Sequence, residues 1–149
     1  MIFIKSIMYK INFSILVIFV WTGLGVFAQS SKNASVLKNS LLKGKVIYQQ
    51  NCLSCHQEDG SGVSRLNPPL IKTSFVLGDQ AKLIKIVLNG LEEEIEINGE
   101  YYSNPMPAFG STLKDQEIAD VLTYIRNNFG NKASAVTVAT VKTVRATVK

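Results

Sequence analysis

From Val36 onward the apolar positions fall at helical steps, with Val36, Leu37, Leu41, Leu42, Val46 and Ile47 recurring every three or four residues. The spacing predicts a helix near 36–51. Gly44, Tyr48 and Cys52 lie four apart and share one of its faces. A glycine inside a helix costs about 1 kcal/mol against alanine, so Gly44 marks a close crossing by another helix. A second helix is predicted over 79–89, with Asp79 as N-cap, Leu83, Ile84, Val87 and Leu88 on one face, and Gly90 as its stop. Ile95 and Ile97 then alternate with glutamates, Asn98-Gly99 is a hairpin turn, and Glu100 to Tyr102 return, giving a small hairpin over 94–103. The strongest amphipathic pattern comes near 114–129. Asp115 caps it, Glu117 complements its dipole, Ile118, Val121, Leu122, Ile125 and Phe129 form its apolar face, and Gly130 closes it. This helix is the natural partner for Gly44.

Between the first two helices, Gln57 to Gly78 has three glycines, two prolines and little periodicity. A loop of that length is unusual in a compact domain unless it has something to wrap. The tail from Asn131 is rich in Val, Thr and Ala. Alternation at Ala135 to Val138 hints at a strand, but Val141, Val144 and Val148 are spaced for one helix face with Thr137 as cap. A short, weakly held helix is therefore expected within a 132–149 extension. At the other end, Lys5 and Lys10 precede an uncharged apolar run from Ile11 to Ala28, ending in Val26-Phe27-Ala28. That order describes a secretory signal peptide over residues 1–28. The run has 18 residues, close to the lower limit for spanning a bilayer, so an uncleaved anchor is the alternative. Residues 36–131 then make one domain.

Charge excludes one class of partner. The net charge of the chain is +5, but it drops to +3 without the two leader lysines. Residues 131–149 carry Lys132, Lys142, Arg145 and Lys149 with no acid, which leaves the body slightly acidic. No basic stripe with interleaved aromatics is present, so nucleic-acid binding has no support.

The chemistry lies in Cys52-Leu53-Ser54-Cys55-His56. Two cysteines three positions apart can hold a flat ligand by two thioether bonds, and the following histidine can bind a metal at its centre. This is the attachment pattern of haem c, with His56 as an axial iron ligand. Cys52 and Cys55 are the only cysteines and His56 the only histidine, so a zinc site lacks its remaining ligands of that kind. A thioredoxin-like dithiol pair would follow a strand, whereas these cysteines follow a helical pattern. Haem also gives the long loop something to wrap, and export suits thiols that must be presented outside the cytoplasm. A sixth iron ligand is then needed. Met106 stands between Pro105 and Pro107 and is the only methionine outside the leader, which makes it the candidate. Asn67-Pro68-Pro69-Leu70 is rigid, and either lends a carbonyl to the second ring nitrogen of His56 or serves simply as a turn.

Taken together, Gly44, Tyr48, Cys52-x-x-Cys55-His56, Asn67-Pro68-Pro69-Leu70, Met106-Pro107 and the Ala119, Leu122, Tyr124 series make the chain resemble a class I c-type cytochrome, from about Leu41 to Asn131. The resemblance implies an all-α fold of three main helices around one covalent haem, with a minor hairpin. It also implies that Pro68 lends its carbonyl to His56. Asn98-Gly99-x-x-Tyr102 and the stretch from Tyr124 to Asn131 are similar to a bacterial periplasmic subgroup, in which tryptophan commonly stands where Phe129 does, and Tyr102 joins the candidate cofactor-binding residues on that likeness. Members of the subgroup accept electrons from periplasmic quinoprotein sugar or alcohol dehydrogenases. The expectation is a periplasmic electron carrier, not an enzyme, whose partners are redox proteins such as a quinoprotein dehydrogenase or a terminal oxidase. A membrane enters only if the leader stays attached. The alternative is a haem enzyme or gas sensor with an open sixth position.

Overall fold

The computed structural model describes residues 32–148; the signal or anchor expected over 1–28 lies outside them. The described residues fall into two units that divide at Leu37. In the first, residues 32–37 are helical, four residues earlier than the spacing of apolar positions begins. The second starts at Lys38 and holds every other element.

In this unit α1 covers residues 38–51 and is followed at once by α2, Leu53–His56. The backbone barely breaks between them, because the N–H groups of Cys52 and His56 still find carbonyls four residues back. The loop that follows contains an element the sequence pattern does not announce: α3, Ser74–Leu77, a single turn whose N-cap Thr73 accepts from the Val76 N–H. α4, Gln80–Asn89, begins where expected. The Asp79 carboxylate accepts from the N–H groups of Ala81 and Lys82, and Gly90 ends the helix. Leu83, Ile84, Val87 and Leu88 are all buried.

β1, Ile95–Ile97, and β2, Glu100–Tyr102, pair antiparallel, with Ile95 opposite Tyr102 and Ile97 opposite Glu100. Asn98 and Gly99 have φ of 54° and 84°, the left-handed pair that a tight two-residue hairpin turn requires. α5, Asp115–Arg126, is the central helix, and nine of its twelve residues are buried. Its start corrects the sequence reading. Lys114 is the N-cap position and Asp115 the first helical residue, while Glu117 reaches back to accept from the Lys114 N–H at 2.8 Å. With that carboxylate already serving the exposed end, Asp115 is free to pair with Arg145 at 2.6 Å. The helix also stops three residues short of Phe129. Asn127 is its C-cap, and Phe129 itself has a positive φ of 56°, so Gly130 lies beyond a turn rather than at the helix end.

α6, Val138–Thr147, is capped by Thr137, whose hydroxyl accepts from the Thr140 N–H. It packs on α4 and α5 and is not weakly held. Val141 and Val144 are buried, and the Arg145 guanidinium donates to the carbonyls of Gly110 and Leu113 as well as to Asp115. Gly44 sits where α1 crosses α5. A Cβ there would fall well inside contact distance of the Asp120 carbonyl and 2.7 Å from Tyr124 Cβ. The Ser40 hydroxyl donates to the buried Asp120 carboxylate at 2.5 Å across the same crossing. Among the described residues no helix is long and apolar enough to cross a membrane. Helices dominate, with one small sheet, as the all-α reading expects.

Candidate functional site

The crossing of α1 on α5 fixes where α1 ends, and therefore where Cys52, Cys55 and His56 emerge. Tyr48, one turn before Cys52, reinforces that placement. It is buried, its ring lies 5.5 Å from that of Tyr124 and 5.3 Å from that of Phe129, and its hydroxyl donates to the Gln57 carbonyl at 2.5 Å. Tyr48 thus holds both ends of the short α2 segment, the near end at Cys52 by its backbone carbonyl and the far end at Gln57 by its hydroxyl. That bond pairs the hydroxyl within the protein as its ring is buried, and burial pushes the phenol well above its ordinary range.

Cys52, Cys55, His56, Pro68, Tyr102 and Met106 all line one cleft. All six candidate residues from the sequence are therefore brought to the same place by four separate segments. The cleft encloses about 1180 Å³, including space open to solvent. Its remaining walls are largely aliphatic and aromatic, drawn from α4, α5 and the loops, with Val87, Leu122 and Phe109 among them.

His56 is the best-defined member. Its Nδ1 lies 2.9 Å from the Pro68 carbonyl oxygen. A carbonyl can only accept, so Nδ1 carries the hydrogen and Nε2 keeps its lone pair. Burial lowers the pKa of the imidazole, opposed by the bond to Pro68, so the ring is favoured in the neutral form a metal needs. The double proline is thus more than a turn. Its backbone is in turn clasped by Gly60 and Val63, since the Leu70 N–H donates to the Gly60 carbonyl and the Val63 N–H to the Asn67 carbonyl, both at 2.8 Å. The Cys52 thiol is pushed up to about 11, first by burial and then by the neighbouring Cys55. It is therefore held as a thiol near neutral pH and is a poor candidate for dithiol redox chemistry, which relies on a lowered pKa.

Met106 reaches the cleft from a short bridge. Its N–H donates to the Leu91 carbonyl at 2.8 Å, and the Leu91 N–H returns the bond at 2.9 Å. The side chain is half-buried against the core. Tyr102 contributes its buried ring to the cleft, while its hydroxyl donates to the Glu100 carboxylate at 2.8 Å. The donor set fits a haem. An apolar cleft with two thiols and a neutral imidazole at one wall and a thioether on another offers attachment, axial ligation and a nonpolar surround for a macrocycle. Among the described residues no group of three or more His, Cys, Asp or Glu could hold a bare metal ion.

Two supporting residues carried no role in the sequence reading. Asn131, 3% exposed, donates to the carbonyls of Leu70 and Ile125 and accepts from the Lys72 N–H, all within 2.9 Å. It bolts the end of the proline segment to the end of α5. Arg126 is equally buried and donates to the carbonyls of Val76, Gly78 and Ser134, which pins α3 beneath the cleft. Arg126 is the last residue of α5 and Asn131 lies five residues past it; a side chain that binds carbonyls leaves no pattern elsewhere in the chain to reveal its partners.

The family model described as Cytochrome c matches residues 41–129. Cytochrome c-552 of Thermus thermophilus is 39% identical over 92 residues, which cover 59% of this chain and 69% of that protein. The gluconate 2-dehydrogenase cytochrome c subunit of Pantoea cypripedii is 37% identical over 118 residues, 76% of this chain and 26% of that subunit. The cytochrome c subunit of the alcohol dehydrogenase (quinone) of Gluconobacter oxydans (strain 621H) is 36% identical over 90 residues, 60% of this chain and 19% of that subunit. The chain thus spans about a quarter or less of the length of these two dehydrogenase subunits. A family match across more than half the chain, with relatives alike over the same stretch, agrees with the chemistry of the cleft: the chain belongs to the cytochrome c family, whose cofactor is covalently bound haem c.

Proposed function

We propose that the chain is an exported, periplasmic one-electron carrier in which Cys52 and Cys55 attach haem c and His56 and Met106 hold its iron. The 2.9 Å bond from His56 Nδ1 to the Pro68 carbonyl carries this reading. It fixes the ring orientation and leaves Nε2 as the only free imidazole nitrogen, the arrangement of a metal-binding histidine supported by its surroundings. Haem c supplies a reversible one-electron change between ferrous and ferric iron, at a potential raised by His/Met ligation. The protein residues do the rest. Pro68 holds the imidazole, the Leu91 pairing holds the Met106 backbone, the Tyr102 ring helps close the cleft, and the aliphatic walls exclude water. With His56 and Met106 both holding the iron, no position would stay open for a substrate, which favours carriage over catalysis.

The relatives named as subunits of gluconate 2-dehydrogenase, alcohol dehydrogenase (quinone) and a cbb3-type cytochrome c oxidase support redox proteins of those two kinds as partners. The donor is a periplasmic dehydrogenase or the acceptor a terminal oxidase, met in brief contacts at the edge of the cleft. Two measurements on purified protein test the proposal. Its haem should remain bound through denaturation, and the native reduced protein should resist carbon monoxide while Met106→Ala binds it. Rapid binding by the unaltered protein would instead mark an open sixth position and a haem enzyme or sensor.

A further inference from the structure

Two Asn-Pro steps face each other at the rim of the cleft. Asn67 directly precedes Pro68, which holds His56, and Asn104-Pro105 directly precedes Met106. Although 37 residues apart, their side chains meet: the Asn104 Nδ2 donates to Asn67 Oδ1 at 2.7 Å. The backbone joins beside them, with the Asn104 N–H donating to the Leu66 carbonyl at 3.1 Å and the Ser103 N–H to that of Arg65 at 3.4 Å. One step further back, the Glu100 carboxylate accepts from both the Ser64 hydroxyl and the Tyr102 hydroxyl. Among the described residues, the hydrogen bonds between the proline segment and the methionine segment are confined to 64–67 and 100–104.

We propose that Asn67 and Asn104 form a latch that holds the Met106 arm against the His56 arm and sets how readily another ligand displaces Met106. The inference rests on the reading of His56 and Met106 as iron ligands. A proline disfavours helical backbone in the residue before it, so both asparagines are held extended before they meet, and little further ordering is needed to join them. Asn67 is additionally fixed by a two-way backbone pairing with Val63. The bond itself is exposed, so its net worth is modest and it can open without unfolding the core. The Leu91 pairing holds Met106 from the other side and stays intact when the latch opens. Both asparagines line the cleft, and in the latch their part is to position the ligand.

The test uses oxidised holo-protein mixed rapidly with imidazole, following loss of the sulfur-to-iron charge-transfer band. Net values for one hydrogen bond imply that Asn104→Ala and Asn67→Ala each speed displacement about two- to tenfold. The double variant should be no faster than the faster single one, because both remove the same bond. Asn67→Asp keeps an acceptor oxygen and should return the rate toward that of the unaltered protein. Exchange of the Asn104 amide hydrogen should quicken in parallel. Because Asn104 is exposed, Asn104→Ala decides the matter even if Asn67→Ala folds poorly. An unchanged rate in Asn104→Ala, or a double variant whose acceleration is the product of the two, would overturn the latch while leaving Met106 as ligand. If the unaltered protein lacks the band, or takes up imidazole as fast as Met106→Ala, the ligand assignment itself fails and the latch with it.

Discussion

Replacing Gly44 with alanine sets two opposed effects against each other, and the structure says which wins. In an exposed helix the change stabilises by about 1 kcal/mol. At a close crossing, overpacking costs typically about 1–3 kcal/mol. The new Cβ would meet the Asp120 carbonyl group and Tyr124 Cβ, both within 2.7 Å. One obstacle is main chain and the other is the first atom of a side chain on the same rigid helix, so neither can swing aside. The cost therefore belongs at the upper end of its range, and the net effect of Gly44→Ala should be a loss of about 1–2 kcal/mol. Gly44→Val lacks alanine's helical advantage and should lose roughly 3 kcal/mol. Guanidinium unfolding of the holo-protein, followed by far-UV circular dichroism, reads this as a lower midpoint at unchanged slope. A raised midpoint for Gly44→Ala would show that propensity prevails and that α1 does not cross α5 at this residue.

Three further outcomes follow from the same contacts. The double variant Cys52→Ser, Cys55→Ser should lose covalent haem and become protease-sensitive, because the long loop and α4 pack around the cleft; a stably folded, colourless protein would contradict this. Asn131→Ala strips partners from one buried and one part-buried carbonyl and from one N–H and should lower stability by about 2–4 kcal/mol, against no loss if water replaces the amide freely. Arg145→Met removes the donors that fasten α6 to Asp115, Gly110 and Leu113 and should cost about 1–2 kcal/mol. Limited proteolysis near residue 132 should accelerate with it, and an unchanged digestion pattern would mean that burial of Val141 and Val144 alone secures the helix.

Local signals were legible wherever a residue type is forced by backbone geometry. Asn98-Gly99 is a turn because both residues must take positive φ, Asp79 is a cap because its carboxylate meets two free N–H groups, and Gly44 is glycine because a helix passes there. The histidine after two spaced cysteines was equally plain. What stayed hidden depended on tertiary contacts. α3 is one turn long, too short for any period to emerge. Asp115 and Glu117 look alike in sequence, and only the fold decides that one serves the cap and the other Arg145. The β-branched tail reads as a poor helix former, yet burial against α4 and α5 holds it. Phe129 fits the helical spacing of α5 but leaves the helix to pack tilted against Tyr48 and edge-on to Tyr124. The roles of Arg126, Asn131 and the asparagine pair rest on bonds to distant carbonyls or amides, which no local window contains.

The central claim is that His56 and Met106 together hold the iron of a carrier. A redox titration of the protein, Met106→Ala and Met106→His tests it most directly. A thioether is a soft, neutral donor that favours ferrous iron, so its loss should make reduction harder. Met106→Ala should lower the potential and abolish the sulfur-to-iron charge-transfer band of the oxidised protein. Met106→His should keep a six-coordinate, low-spin iron, yet still lower the potential, because imidazole donates more strongly. Identical potentials in all three proteins would contradict the claim and reduce Met106 to core packing.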